Sequence, residues 1–196
     1  MRVFILCIGE HHMTLTRRIK NPTLRNIAEW VVAGLFAFVL FLFVRNFVFR
    51  VADVNGHSME PTLSHGDFVI LSRIPFWFNE PQVGDIVAFP YRADPSEFYI
   101  KRIVAVPGDV VDFQNNRFLI NGYESEYDFA NVDARSGGNI VLPVTILDGE
   151  FFVLGDNRNA SKDSRYRSVG TITQSDMVGK VAIRFWPLNN FGPVRP

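Results

Sequence analysis

The sequence predicts a mainly β domain of antiparallel strands that follows one N-terminal membrane-spanning helix. Three observations support this fold class. One apolar stretch of helix length lies within residues 27–49, β-branched and aromatic runs recur after residue 50, and Gly-Asp or Asn-Gly pairs separate those runs. The sequence shows no helical periodicity of useful length after the apolar stretch. We therefore expect an antiparallel sheet that is coiled or barrel-like, with a catalytic or binding site on it.

Composition and charge narrow the class of protein. The chain has 196 residues with equal numbers of basic and acidic side chains, so nothing favours a polyanionic partner such as nucleic acid. The lone cysteine, Cys7, excludes a disulfide framework. The histidines His11, His12, His57 and His65 lack the spacing of a zinc site. We therefore expect no metal and no cofactor.

The apolar segment is the first predicted element. Its charge-free part, residues 30–44, is shorter than a bilayer span. Residues 27–49 are long enough if Glu29 and Arg45 lie near the two interfaces. A cleaved secretory signal is the alternative, since the apolar region of a signal peptide is short. The long preceding tail and the lack of an Ala-x-Ala site favour a retained transmembrane anchor.

The flanking charges predict the orientation of this anchor. The segment is preceded by four basic residues, Arg17, Arg18, Lys20 and Arg25. Basic flanks stay in the cytoplasm, so residues 1–26 are predicted to form a cytoplasmic tail. Residues 50–196 are then an extracytoplasmic domain at the cell membrane. Met13 is an alternative start of the chain, because the residues before it contribute no clear element.

Turn signals divide the predicted β domain into strands. Gly-Asp pairs precede apolar runs at 68–71, 86–89 and 110–113, and further runs cover 118–120, 151–154 and 178–185. The pair Asn121-Gly122 predicts a tight hairpin. Residues 117–149 are predicted to form a hairpin and loop insertion, in which 123–138 is a polar loop.

Lys101 lies in the strand-like run 98–106 and is a candidate general base. With a period of two, Tyr99, Lys101 and Ile103 share one face, so aromatic and apolar neighbours flank the amine. Burial lowers the pKa of a lysine and so favours the neutral amine that a base requires. The alternative is an edge-strand lysine that protects against aggregation. Arg102 cannot serve as this base, because a guanidinium keeps its proton.

Ser58 lies between Gly56 and Pro61, in a predicted turn, and is a candidate nucleophile. A serine hydroxyl needs an adjacent base, and lysine can act as that base. The alternative is an ordinary turn serine. His57 is next to Ser58 in sequence, but adjacent residues on an extended chain point to opposite faces. We therefore expect His57 to be a bystander.

Three blocks of sequence, taken in order, resemble the type I signal peptidases. They are Ser58-Met59-Glu60-Pro61-Thr62-Leu63 with Gly66-Asp67, Tyr99-Ile100-Lys101-Arg102 with Pro107-Gly108-Asp109, and Gly155-Asp156-Asn157-Arg158 through Ser164-Arg165. The resemblance implies a membrane-bound serine endopeptidase that acts on exported preproteins. It would remove their signal peptides after small residues at positions −1 and −3, through an acyl-enzyme.

The resemblance also implies roles for individual residues. Ser58 would be the nucleophile and Lys101 the general base, while Ser161 would hydrogen-bond the lysine amine and orient it. Asp163 and Arg165 match a supporting charged pair, with an ordinary exposed ion pair as the alternative. The positions that match pocket-lining segments of the family are Val54, Met59, Leu63, Val69, Tyr99 and Ile100. Core packing is the alternative for each of these six. Asp156, Asn157 and Arg158 are expected to shape a turn.

Gly56 marks a departure from part of the family. Some members carry a hydroxyl residue at this position, two before the nucleophile, as a donor to the oxyanion hole. The Ser58 backbone N–H is expected to remain one donor, with a further backbone N–H or a water as compensation. The resemblance also implies contact with the lipid bilayer and the translocation machinery. The aromatic run Phe76-Trp77-Phe78 predicts a loop at the membrane interface, with core burial as the alternative.

Two rival functions remain open from sequence. A self-cleaving Ser-Lys regulator of the related repressor type would carry a DNA-binding segment and no anchor, whereas this chain shows the opposite pattern. A non-catalytic single-pass protein that displays a β binding module is the second rival. It predicts that replacing Ser58 or Lys101 leaves function untouched.

Overall fold

The computed structural model describes residues 21–43, 48–115, 117–125, 127 and 138–194. The chain divides into two compact units, Met1–Asn46 and Phe47–Pro196. Most of the predicted cytoplasmic tail lies outside the described residues.

Within the described residues, the first unit is one helix, α1 (Pro22–Phe43). The Asn21 side chain accepts a backbone N–H of the first turn, and proline at the first helical position favours a start here. The stretch Pro22–Leu42 is long and apolar enough to cross a membrane. The helix begins earlier than the predicted segment 27–49, and residues 44–47 lie outside the described residues. Phe49, predicted as the end of the span, instead begins a strand.

The described part of the second unit contains strands that pair antiparallel throughout. The first six are β1 (Phe49–Asp53), β2 (Phe68–Ser72), β3 (Ile86–Tyr91), β4 (Asp94–Ala105), β5 (Val110–Gln114) and β6 (Arg117–Ile120). The others are β7 (Tyr123–Glu124), β8 (Val144–Thr145), β9 (Glu150–Leu154), β10 (Ile172–Thr173), β11 (Gly179–Trp186) and β12 (Gly192–Pro193). The predicted mainly β, antiparallel class is confirmed.

The strands form two sheets. The larger has the order β1-β2-β11-β3-β4-β9-β10, with β12 paired to β11, and the smaller has the order β7-β6-β5-β8. One core cluster joins them, since Val104 and Phe152 of the larger sheet pack with Val111 and Phe118 of the smaller one. Within the larger sheet, the long strand β4 lies between β3 and β9, so it is not an edge strand. Its position excludes an edge-strand role for Lys101.

The three Gly-Asp pairs predicted as turns share one geometry. Their glycines have positive φ angles of 86° at Gly66, 94° at Gly84 and 88° at Gly108. In each turn the aspartate carboxylate accepts the N–H of the residue three before it, at 2.9 Å for Asp67, 3.2 Å for Asp85 and 2.9 Å for Asp109. Glycine supplies the backbone angle and aspartate closes the turn, which explains why the pair recurs.

Two features of the second unit differ from the sequence prediction. The smaller sheet begins at Val110, so the predicted insertion 117–149 omits its strand β5, and most of the predicted polar loop lies outside the described residues. The predicted aromatic loop contains a one-turn helix, α2 (Pro75–Phe78), because proline at its first position favours helical φ.

Candidate active site

Ser58 and Lys101 meet in the second unit, although 43 residues separate them in sequence. Lys101 lies on β4, and Ser58 lies in the Ser58 loop, which we define as residues 55–65 between β1 and β2. The Lys101 Nζ donates to Ser58 Oγ at a distance of 2.7 Å. The structure thus brings the two predicted catalytic side chains to direct hydrogen-bond distance.

Backbone hydrogen bonds hold the Ser58 loop. At its neck, Val54 N–H donates to Asp67 O at 2.8 Å and Gly66 N–H donates to Val54 O at 2.9 Å. Within the loop, Leu63 N–H donates to Met59 O at 2.9 Å, while Met59 and Leu63 are buried in the core. The loop is therefore anchored at its neck and along its far side, which leaves Ser58 directed toward β4.

Burial sets the electrostatics of Lys101. Its side chain is 4% exposed, and burial lowers its pKa from 10.5 to about 8. The carboxylates of Asp163 and Asp156 oppose this shift, and the positive charge of Arg165 adds to it. A lysine with this pKa has an appreciable neutral fraction near neutral pH, and the neutral amine is the form that accepts a proton.

The surroundings of the amine follow the predicted strand period. Lys101 Nζ lies 5.1 Å from the centre of the Tyr99 ring, which occupies the same face of β4 two residues earlier. The amine also donates to the carbonyl of Ile100 at 2.9 Å. The amine is therefore buried beside an aromatic ring, and its two hydrogen-bond acceptors, Ser58 Oγ and the Ile100 carbonyl, fix its direction.

The predicted orienting group, Ser161, takes a different partner. Its hydroxyl donates to Asp163 Oδ2 at 2.6 Å, and the hydrogen bonds of the Lys101 amine go to Ser58 and Ile100. The direct hydrogen bond from Ser161 to Lys101 that the family resemblance implied is absent between these described residues. The hydroxyl proton of Ser161 therefore goes to a carboxylate only two residues away in sequence.

Asp163 and Arg165 form a buried ion pair. Arg165 Nε donates to Asp163 Oδ1 at 2.7 Å, and both side chains are 0% exposed. The guanidinium also donates to the backbone carbonyls of Arg158 and Ser161 at 2.7 and 3.1 Å. The alternative of an exposed surface pair is therefore wrong. The pair instead holds the backbone that carries Ser161 in place.

Gly155 is required by space rather than by backbone angle. A Cβ atom at this position would lie 2.2 Å from Ser161 Oγ and 2.5 Å from the carbonyl oxygen of Ser58. That same Ser58 carbonyl accepts the N–H of Asn157 at 3.0 Å. The turn 155–157 thus packs directly against the backbone of Ser58, and a side chain at Gly155 would separate them.

Sequence reasoning missed a buried cluster on the opposite face of β4. Arg102 donates to both oxygens of Asp156, at 2.9 and 2.8 Å, and each side chain is 1% exposed. Thr62 of the Ser58 loop donates to Asp156 Oδ2 at 2.5 Å, and Arg102 also donates to Gly84 O at 2.9 Å. Asp156 therefore does more than shape a turn. It ties all three sequence blocks together.

A cavity of about 710 Å³ opens beside Ser58 and Lys101. Four of the six predicted pocket residues line it, namely Val54, Met59, Tyr99 and Ile100. The other two, Leu63 and Val69, are 0% exposed within the core, where they pack instead. The cavity has the size of a ligand site, and it gives a substrate access to both reacting side chains.

His57 also borders this cavity, but its ring pairs away from Ser58. Its Nδ1 lies 2.8 Å from Glu60 Oε1, within hydrogen-bond distance. The structure thus shows His57 with a carboxylate partner, while Ser58 has the Lys101 amine as its basic neighbour.

Comparison with known proteins identifies the family of this chain. A family model described as "Signal peptidase, peptidase S26" matches residues 27–186. The chain belongs to this family. The predicted resemblance is therefore confirmed, and the chain is a signal peptidase hydrolase. The helix α1 is consistent with membrane anchoring.

Two relatives matched by sequence agree with this assignment. Signal peptidase IB of Staphylococcus aureus (strain COL) is 32% identical over 182 residues, which cover 85% of this chain and 93% of that protein. Signal peptidase I of Leptolyngbya laminosa is 37% identical over 167 residues, covering 81% of this chain and 79% of the relative. A crystal structure of a signal peptidase I from Enterococcus faecalis V583 matches with 30% identity and a TM-score of 0.43, covering 53% of this chain and 98% of that one.

Proposed function

We propose that this chain is a membrane-anchored serine endopeptidase in which Ser58 is the nucleophile and Lys101 the general base. It removes N-terminal signal peptides from exported preproteins. The observation that carries the proposal is the 2.7 Å contact between Ser58 Oγ and a lysine amine that burial makes less basic. Serine needs an adjacent base, and burial supplies one here because it favours the neutral amine of Lys101.

The reaction proceeds in two halves. Neutral Lys101 takes the proton of Ser58 Oγ as that oxygen attacks the scissile carbonyl carbon and forms a tetrahedral oxyanion. The C–N bond then breaks, Lys101 gives its proton to the leaving amine, and the signal peptide remains as an ester on Ser58. Lys101 next takes a proton from water as the water oxygen attacks this ester. The second tetrahedral intermediate then breaks its bond to Ser58 Oγ, Lys101 returns the proton to that oxygen, and the signal peptide leaves with a free carboxylate.

The supporting groups act through the backbone around this pair. Ser161, Asp163 and Arg165 fix the turn that packs on Ser58, and the Ser58 backbone N–H is one donor to the oxyanion. No side chain at Gly56 adds a second donor, so a backbone N–H or a water supplies it.

The cavity sets the selection of substrate. Val54, Met59, Tyr99 and Ile100 line the cavity with apolar and aromatic side chains, and this lining selects small side chains at positions −1 and −3 of the cleavage site. The peptide binds in an extended conformation beside the sheet, as in strand addition.

A cleavage assay tests the dyad. The detergent-solubilised chain is incubated with a preprotein that carries Ala at −1 and −3, and the products are separated by mass. We expect wild type to release the mature protein, and Ser58→Ala and Lys101→Ala each to reduce cleavage to background. Cleavage that survives both substitutions would overturn the dyad. An unaffected cellular role in both variants would instead favour the non-catalytic binding module.

The proposed topology places residues 1–26 in the cytoplasm and residues 50–196 outside, where the translocation machinery delivers preproteins. Labelling in intact cells tests it. Asp148 is exposed, so an Asp148→Cys variant made with Cys7→Ser presents one reactive thiol. A membrane-impermeant maleimide should label this thiol without permeabilisation. Labelling only after permeabilisation would reverse the topology.

We also propose that the tip of α2 contacts the lipid interface. Trp77 and Phe78 are 53% and 78% exposed, whereas Phe76 packs against the core, so the alternative of complete core burial fails for two of the three aromatics. Trp side chains favour membrane interfaces, and exposed apolar patches often mark membrane contacts. Brominated lipids should quench the fluorescence of Trp77, measured in a Trp30→Phe, Trp186→Phe background. Equal fluorescence in brominated and plain vesicles would reject the contact.

A further inference from the structure

The neck of the Ser58 loop is closed partly by a side chain. Two backbone hydrogen bonds join Val54 to Asp67 and Gly66. One step further into the loop, Gly56 N–H donates to the ring nitrogen Nδ1 of His65 at 3.2 Å. The imidazole of His65 therefore adds a third hydrogen bond at the neck, this one from the backbone to a side chain.

Gly56 is a position where such a restraint matters. Its φ angle is 104°, a conformation that residues with a side chain rarely adopt, and it lies two residues before Ser58. Glycine reaches this angle without strain but also leaves it easily, because it has many alternative conformations. A hydrogen bond to its N–H removes part of that freedom at the start of the segment that carries Ser58.

The same hydrogen bond bears on the oxyanion hole. The Gly56 N–H already donates to His65, so it is committed to the loop and does not face a substrate oxyanion. The backbone around Ser58 must then be positioned accurately, since the Ser58 N–H is the proposed donor to the oxyanion.

We propose that His65 is a positioning residue for the cleavage reaction. Its Nδ1 accepts the Gly56 N–H and so keeps Ser58 at the position from which its Oγ reaches Lys101. This inference rests on the proposed function of Ser58. His65 acts through the backbone and contacts neither substrate nor the reacting atoms.

A second interpretation of His65 is ring packing. The rings of His57 and His65 lie 5.8 Å apart and tilted by 48°. The two interpretations require different chemistry at the same position, because packing needs a ring and positioning needs an acceptor. Two substitutions separate them. In His65→Asn, Oδ1 lies the same number of bonds from Cα as Nδ1 and accepts a hydrogen bond, whereas His65→Phe keeps a ring and has no acceptor.

Steady-state cleavage of the Ala(−1), Ala(−3) preprotein by the full chain in detergent measures the effect. A hydrogen bond of this kind is worth about 1 kcal/mol, so we expect His65→Phe to lower kcat about fivefold with little change in KM. We expect His65→Asn to keep at least half of the wild-type kcat. Equal kcat values for the two variants, or a lower value for Asn than for Phe, would overturn the inference.

A control variant tests whether any exposed side-chain acceptor has this effect. Asn121 Oδ1 accepts the N–H of Val110 at 2.8 Å in the smaller sheet, and its φ of 54° suits glycine. Asn121→Gly should leave kcat unchanged. A fivefold loss in this variant would make the His65 result non-specific.

Amide exchange gives a readout that does not depend on catalysis. In the full chain labelled with ¹⁵N-glycine, the Gly56 N–H should exchange about fivefold faster in His65→Phe than in wild type, and at the wild-type rate in His65→Asn. If no preprotein is cleaved by wild type, the proposed function fails and exchange still tests the restraint. If cleavage occurs and the exchange rates of the two variants agree, the inference about His65 fails alone.

Discussion

At the scale of single residues, the amine of Lys101 shows how burial prepares a base. Burial lowers its pKa to about 8, and Asp163 and Asp156 keep the value from falling further. We predict that kcat/KM rises about tenfold per pH unit below this pKa and levels off above about pH 8, because only the neutral amine accepts the Ser58 proton. A pH profile of the cleavage assay measures this rise.

The control for the pH profile is a basic side chain that cannot lose its proton. Lys101→Arg keeps a positive charge at every pH, so we expect no activity along the whole profile. A wild-type rise that begins only near pH 10 would contradict the effect of burial on Lys101.

Gly155 carries a second prediction at this scale. A methyl group there meets Ser161 Oγ and the Ser58 carbonyl well inside van der Waals distance. We expect Gly155→Ala to lower kcat/KM at least about tenfold, because small displacements of a reacting group are costly. The matched control is Gly34→Ala in α1, where nothing lies within 4 Å of the added Cβ. Equal kcat/KM for the two variants would show that the turn 155–157 shifts to accommodate the methyl group without displacing Ser58, which would contradict the prediction.

Residue-scale prediction from sequence succeeded where a local rule applied. The period of two placed Tyr99 beside Lys101, and the structure shows that contact. The partner of Ser161 was different, because Asp163 lies close in sequence and accepts its hydroxyl. Family resemblance suggests which residues gather at a site, but the choice between competing acceptors depends on distances that the sequence does not give.

At the scale of secondary structure elements, one face of β4 contributes to the cavity and the other face contributes to the buried Arg102–Asp156 cluster. Lys101 faces the cavity, while Arg102 is paired with Asp156 in the buried interior. We predict that Asp156→Asn lowers the free energy of unfolding by about 3–5 kcal/mol, since it removes the carboxylate charge that opposes the buried guanidinium of Arg102. Urea unfolding of the detergent-solubilised chain measures the loss.

An exposed aspartate provides the comparison for Asp156. Asp148→Asn lies in a turn before β9, so we expect a change within about 0.5 kcal/mol. A loss below about 1 kcal/mol for Asp156→Asn would mean that Arg102 finds other partners, and the cluster would then not stabilise the fold as argued.

Elements were predictable to the extent that their signals are local. The Gly-Asp turns followed from residue chemistry alone, as their shared geometry shows. The pairing of Arg102 with Asp156 spans 54 residues and depends on how β4 packs against the turn after β9. The start of the smaller sheet at Val110 was missed for a similar reason. Its strand β5 has the same apolar pattern as the strands of the larger sheet.

At the scale of the whole molecule, stability and catalysis oppose each other at Lys101. Below pH 8 the amine is charged in the unfolded chain, so folding must bury that charge or release its proton. Between about pH 8 and the ordinary lysine pKa of 10.5, the unfolded chain binds more protons than the folded chain, so this contribution to stability rises with pH across that window. The folded state therefore carries a cost at neutral pH that the proposed function requires.

This cost leads to a prediction on the free energy of unfolding. Lys101→Met fills the same space without a charge, so we expect the variant to be more stable than wild type at pH 7. The difference between the two should shrink by about 3 kcal/mol by pH 10.5, which is the lowering of the pKa expressed as free energy. Other groups titrate equally in both chains, so their contributions cancel in the difference. A difference that stays constant from pH 7 to pH 10.5 would show that the buried amine keeps its ordinary pKa.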